Sequence, residues 1–139
     1  MDNRLLPSLT NAAILGRAHA YAPYSKFQVG AAVLTADGKI FAGCNVENAS
    51  YGLTICAERV AVGTAVAAGH KEIVAVAVVS SGGHSPCGAC RQVLSEFGPA
   101  MEVILIDADD PSKTSTTTLA ALLPEQFSSD ALQRASWSR

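Results

Sequence analysis

The hydrophobic pattern changes period several times along the chain. Residues 29–35 form a short apolar run, Asp37-Gly38 supplies the residues of a tight turn, and residues 39–45 read as the returning strand of a hairpin. Ahead of it, Leu9, Ala12, Ala13 and Ala20 recur at helical spacing, with Gly16 on the same stripe. They predict a helix over residues 8–21 that Ser8 caps and Pro23 stops, followed by a loop over residues 21–27. Residues 45–52 are too polar for a core element. From about Ile55 the pattern turns helical through Val60, Val62 and Val66 to Ala68, with Gly69 as the stop. Residues 73–80 are continuously apolar, the pattern of a strand covered on both faces. Ser85 and Pro86 then offer an N-cap and a first turn for a helix that runs to Phe97 and ends at Gly98-Pro99. Residues 102–107 are a further strand. Residues 107–118 read as a polar connection with at most a short edge strand at 116–119, and residues 119–123 as a helical turn. The segment beyond Asp130, with its Ser136-Trp137-Ser138 tail, is weakly specified. This order of elements implies a mixed sheet with helices packed on it, in one domain spanning residues 1–139.

Composition narrows the partners. The chain is 49% hydrophobic and only 16% charged, with a net charge of −2 and no basic run. A nucleic-acid polymer calls for a positive face, so a small neutral substrate fits better. No apolar run approaches the ~18 residues that would span a membrane. The polar Met1-Asp2-Asn3 start carries no secretion pattern, so the cytoplasm is expected.

The candidate chemistry lies in two short segments, Thr54-Ile55-Cys56-Ala57-Glu58-Arg59 and Ser85-Pro86-Cys87-Gly88-Ala89-Cys90-Arg91-Gln92. Cys56, Cys87 and Cys90 offer soft thiolate donors for a tetrahedral ion such as zinc, and three protein ligands leave a corner open for chemistry. Both segments fall at or near predicted helix N-termini, where the macrodipole favours thiolates. Three thiolates donate more charge than neutral imidazoles, so water at such a site needs a base, and Glu58 stands two residues after Cys56. Taken alone, Cys87 and Cys90 could be a redox pair, Glu58 an exposed helix residue, and Arg59 and Arg91 solvated charges. His84 could close the site as a fourth ligand, which would leave Glu58 without a task. Cys44 reads as a small buried hydrophobe, and His19 and His70 as helix-end or surface residues. Asn45 and Glu47 alternate along an extended segment, so both side chains can point into one cavity.

Cys56-Ala57-Glu58 followed by Pro86-Cys87-Gly88-Ala89-Cys90 resembles the signature of the zinc-dependent cytidine deaminases, most closely their small, all-cysteine, homotetrameric type. The resemblance extends over about residues 21–132. It implies an α/β fold, a three-layer α-β-α sandwich with a five-stranded mixed sheet. It also implies one Zn2+ per subunit on Cys56, Cys87 and Cys90, and hydrolysis of cytidine and 2′-deoxycytidine to the uridines with release of ammonia, a pyrimidine-salvage reaction. Glu58 would shuttle protons, Arg59 would hydrogen-bond the ligand sulfurs, and the backbone at Ala57 would meet the base. Phe27 would pack on the pyrimidine, and Asn45 and Glu47 would hold the ribose 3′-hydroxyl. Ala49, Tyr51 and Phe127 match positions that reach a neighbouring subunit's site, so the implied assembly is a homotetramer with shared active sites. The sequence departs from the family's pattern modestly, in a short glycine-rich loop before Ser85 and in Val60 and Val62. The alternatives are a sibling deaminase of another aminated base or nucleoside analogue, a polynucleotide-editing deaminase, or a non-catalytic zinc-stabilised binding module.

Overall fold

The hairpin forms where the turn residues put it. In the structure, a computed structural model that describes residues 2–134, β1 (Gly30–Thr35) pairs antiparallel with β2 (Ile40–Cys44), Gly30 opposite Cys44 and Leu34 opposite Ile40. Gly38 takes the left-handed φ of 88° that the turn requires. Thr35 closes the loop: its hydroxyl donates to Asp37 Oδ1 at 2.5 Å and accepts from the Lys39 N–H at 2.9 Å. The Ser136-Trp137-Ser138 tail lies outside the described residues.

The full sheet has the order β2-β1-β3-β4-β5, with β3 (Ile73–Ser80), β4 (Glu102–Asp107) and β5 (Asp110–Thr118). Only the β3–β4 pair is parallel among these neighbours. Helices cover both faces, which explains why β1 and β3 are apolar at nearly every position rather than at alternate ones. Ala32, Leu34, Ala75, Ala77 and Val79 face α1 (Leu6–Arg17). Their neighbours Ala31, Val33, Val76 and Val78 face α2 (Ala57–Ala67) and α3 (Gly88–Phe97). The result is the α-β-α sandwich, with α4 (Leu119–Leu122) and α5 (Ser129–Arg134) completing the described chain.

Two glycines set how close the layers come. A Cβ at Gly43 would sit 2.5 Å from the Ala61 backbone nitrogen and 2.6 Å from the Ala57 carbonyl, so only a glycine lets α2 lie this near β2. A Cβ at Gly16 would meet the Gly43 carbonyl at 2.8 Å. Gly16 is therefore a packing residue of α1, and not a weak point in it. This seating also brings the N-terminus of α2 to the end of the sheet where β3 delivers Ser80.

Several boundaries differ from the expected ones. α1 begins before Ser8 and carries Pro7 in its first turn, where the missing N–H costs nothing; Leu5 is its N-cap, without a side-chain bond. It ends at Arg17 and not at Tyr21, its last turn tightening as the Ala20 N–H bonds the Arg17 carbonyl. α2 starts at Ala57 because Ile55 is engaged in an antiparallel bridge with Val46, each N–H bonding the other's carbonyl at 2.9 Å. Cys87, and not Ser85, is the N-cap of α3, and the Ser85 hydroxyl instead accepts from Arg91. The stretch 110–118 is a nine-residue edge strand in place of a polar connection. Its side chains are largely solvent-exposed, so pairing with β4 leaves no apolar period to read.

Candidate metal centre and cavity

Cys56 and Cys87 occupy equivalent places. Each is the extended N-cap residue of a helix, Cys56 of α2 and Cys87 of α3, and Cys90 lies one turn into α3, fully buried. The two helix starts converge, and the three Sγ atoms lie within 4.8 Å of one another, with Cys56 and Cys87 4.0 Å apart. Sulfurs of a tetrahedral zinc site with ~2.3 Å bonds stand about 3.8 Å apart, so the cluster fits such an ion. His84 is not part of the three-sulfur group among the described residues. It faces Phe27 across the cavity, ring centroids 6.4 Å apart.

The local electrostatics favour anionic sulfur at Cys56. A hydrogen bond from the Cys90 thiol, with the Arg59 guanidinium alongside, holds Cys56 down at about 5. The same bond to Cys56, together with burial, pushes Cys90 up. Arg59 Nη2 donates to Cys56 Sγ at 3.3 Å, and its buried Nε has no hydrogen-bond partner among the described residues. That leaves the guanidinium with a spare donor beside electron-rich sulfur, as a charge-balancing second layer around a thiolate-bound cation would have.

Glu58 is in the first turn of α2 and only 4% exposed. Burial is the main force on its carboxyl and raises it above the ordinary range. A carboxyl in that state can carry a proton as well as accept one.

In front of these groups lies a cavity of about 320 Å³, whose lining includes Phe27, Asn45, Glu47, Ala57 and Glu58. Asn45 is buried and spans two strand-entry residues, donating to the Phe27 carbonyl at 2.8 Å and accepting from the Val29 N–H at 2.9 Å. Glu47 is held by Ser25 and by the backbone of residues 24–25. The Ser25 hydroxyl is the leading cause that keeps its carboxyl below the usual value. Ala49, Tyr51 and Phe127 are not in this lining. Tyr51 is 75% exposed and packs edge-on to Tyr24, beside an adjoining cavity that Glu47 also lines. Phe127 is 60% exposed, on a segment that Gln92 holds by donating to the Phe127 carbonyl at 3.0 Å.

Two residues that make long-range contacts around the site were missed by sequence reasoning. Arg91 is no solvated charge: it donates to the Pro86 carbonyl, the Leu122 carbonyl and the Ser85 hydroxyl at 2.8–3.0 Å, tying the loop that carries Cys87 to α4. Ser25 is the other, and its adjacency to Phe27 was the one available sign.

Residues 6–106 match the family model of the cytidine and deoxycytidylate deaminase zinc-binding region. The cytidine deaminase of Halalkalibacterium halodurans is 44% identical over 132 residues, covering 94% of this chain and 97% of that protein. That of Sporosarcina psychrophila is 49% identical over 122 residues, covering 86% and 88%. The crystal structure of cytidine deaminase from Burkholderia pseudomallei superposes with a TM-score of 0.82 at 49% identity, over 91% of this chain and all of that one.

Proposed function

The chain belongs to the cytidine and deoxycytidylate deaminase family, and from that premise we propose that it hydrolyses cytidine and 2′-deoxycytidine to uridine and 2′-deoxyuridine, releasing ammonia. The observation that carries this reading is the buried, proton-competent Glu58 beside three convergent cysteine sulfurs at the floor of a nucleoside-sized cavity.

Cys56, Cys87 and Cys90 would hold the zinc ion, which when bound supplies a Lewis acid that makes water easier to deprotonate. Glu58 takes one proton from the attacking water and gives it to the ring nitrogen, then takes the second from the hydroxyl formed at the attacked carbon and gives it to the amino group, which leaves as ammonia. Its elevated affinity for protons suits both halves of that cycle. The N–H group of Ala57, in the first turn of α2, has no helical acceptor by position and is available to the base. Phe27, 42% exposed, offers a face for the pyrimidine. Asn45 and Glu47 retain unused hydrogen-bonding capacity toward the sugar. Arg59 keeps the sulfur cluster from accumulating uncompensated charge.

The functional unit on this reading is a homotetramer of single-domain chains in the cytoplasm. Among the described residues no helix is long and apolar enough to cross a membrane. Tyr51 and Phe127 are large, exposed and outside their own chain's cavity, which suits aromatic groups lent to a neighbour. Sedimentation should give four times the chain mass for the active species; full activity at monomer mass would sink the shared-site reading.

The direct test is conversion of cytidine by purified, zinc-loaded protein, followed through ammonia and uridine together. Stoichiometric appearance of both is expected. A protein with about one zinc per chain, the loading one three-cysteine site implies, that leaves cytidine intact would move the assignment to another aminated substrate.

A further inference from the structure

The polar contacts around Glu47 are lopsided. Oε1 accepts from the backbone N–H groups of Tyr24 at 3.0 Å and Ser25 at 3.1 Å, while Oε2 accepts from the Ser25 hydroxyl. The direction of that last bond is settled by the other contact of the hydroxyl. Ser25 Oγ accepts from the Phe27 N–H at 3.0 Å, so its single proton is the one given to Glu47. Between them lies Lys26, whose φ of 63° places a non-glycine residue in the left-handed region, with its N–H bonded to the Ala22 carbonyl at 3.0 Å. This tight reversal lets one serine bind both Glu47 and Phe27, two walls of the same cavity.

An ionised carboxylate has about four acceptor sites. Tyr24 and Ser25 occupy three of them, leaving one on Oε2. Asn45, bonded once through each end of its amide, retains one donor and one acceptor. We infer that Ser25 is a positioning residue for sugar recognition: its hydroxyl fixes the Glu47 carboxylate so that a single acceptor site remains, matched to the proton of one sugar hydroxyl. The inference rests on the nucleoside reading above, in which that group is the 3′-hydroxyl. Without the serine hydroxyl, Oε2 has two open sites, turns about its remaining backbone bonds and is hydrated before substrate arrives.

The test compares wild type with Ser25→Ala and Ser25→Thr, using cytidine as substrate and 2′,3′-dideoxycytidine as competing inhibitor. For Ser25→Ala, KM for cytidine should rise roughly tenfold with kcat changed less than about threefold, the pattern of lost binding to substrate and transition state alike. The inhibition constant of the dideoxy compound, which lacks the hydroxyl, should move by less than about twofold, and Ser25→Thr should restore the cytidine KM. Equal losses toward both compounds would show that Ser25 merely holds its loop, and an unchanged cytidine KM would remove any role; either overturns the inference while the deaminase assignment stands. A wild type that leaves cytidine intact overturns both.

Discussion

Glu58→Gln should lower kcat for cytidine by about 10²–10⁴, the range typical of a positioned proton carrier, with zinc content and thermal stability close to wild type. The substitution keeps the shape and volume of the side chain and removes only its ability to take and return a proton. Stability should hold because the carboxyl sits under a burial penalty: burial is the leading influence on it and acts against its charged form, so a neutral amide relieves a cost. The expected KM is within a few-fold of wild type, since the sugar and base contacts assigned to Asn45, Glu47 and Phe27 are untouched. A drop in kcat with KM nearly constant marks an interaction made in the transition state. Retained turnover in this variant would return Glu58 to the status of an ordinary first-turn residue and leave the zinc site without its base. A variant that lost activity together with its zinc would instead mean that the side chain supports the sulfur cluster.

How much of this was legible beforehand divides by physical cause. The hairpin, β3, β4 and the glycine stop after α2 were readable because each depends on local chemistry, such as the left-handed φ of Gly38 and Gly69. The start of α1 was misplaced because Ser8 is a strong capping residue in isolation, whereas Pro7 was already able to serve the first turn. β5 was unreadable in full because an exposed edge strand is specified by pairing with β4, and a tract rich in serine and threonine has no apolar period. The sulfur cluster announced itself through spacing, since Cys87 and Cys90 are one helical turn apart and Glu58 follows Cys56 closely. Arg91 and Ser25 did not. Arg91 acts through the Leu122 carbonyl, 31 positions away, and Ser25 through a carboxylate 22 positions away, and nothing in either residue's own neighbourhood records the partner. A polar side chain that bonds distant groups can be recognised only once the fold has brought them together.

Cys87→Ala should remove zinc from the protein and reduce turnover to background, with the apo fold preserved. Two cysteines cannot replace a three-thiolate site, and the lost ligand is the one that comes from the N-cap of α3. Folding should survive because Cys87 makes no side-chain capping bond, is solvent-exposed, and sits in a loop that Arg91 holds independently through Pro86 and Ser85. The clearest readout is linkage. A ligand that binds only the native state stabilises it by about 4 kcal/mol at a free concentration of 1,000 Kd, a rise in Tm on the order of 10 °C for a domain of this size. Wild type should show that rise on adding zinc and lose it on chelation, whereas Cys87→Ala should melt at one temperature in both conditions. Cys90→Ala should lose zinc equally, but with a further loss of stability of about 1 kcal/mol from the small cavity left at a fully buried position. If Cys87→Ala kept about one zinc per chain and its zinc-dependent Tm shift, the metal would have to be held elsewhere. The cysteine cluster would then lose its place in the reaction, and Glu58, buried beside it, would lose its reason for being there.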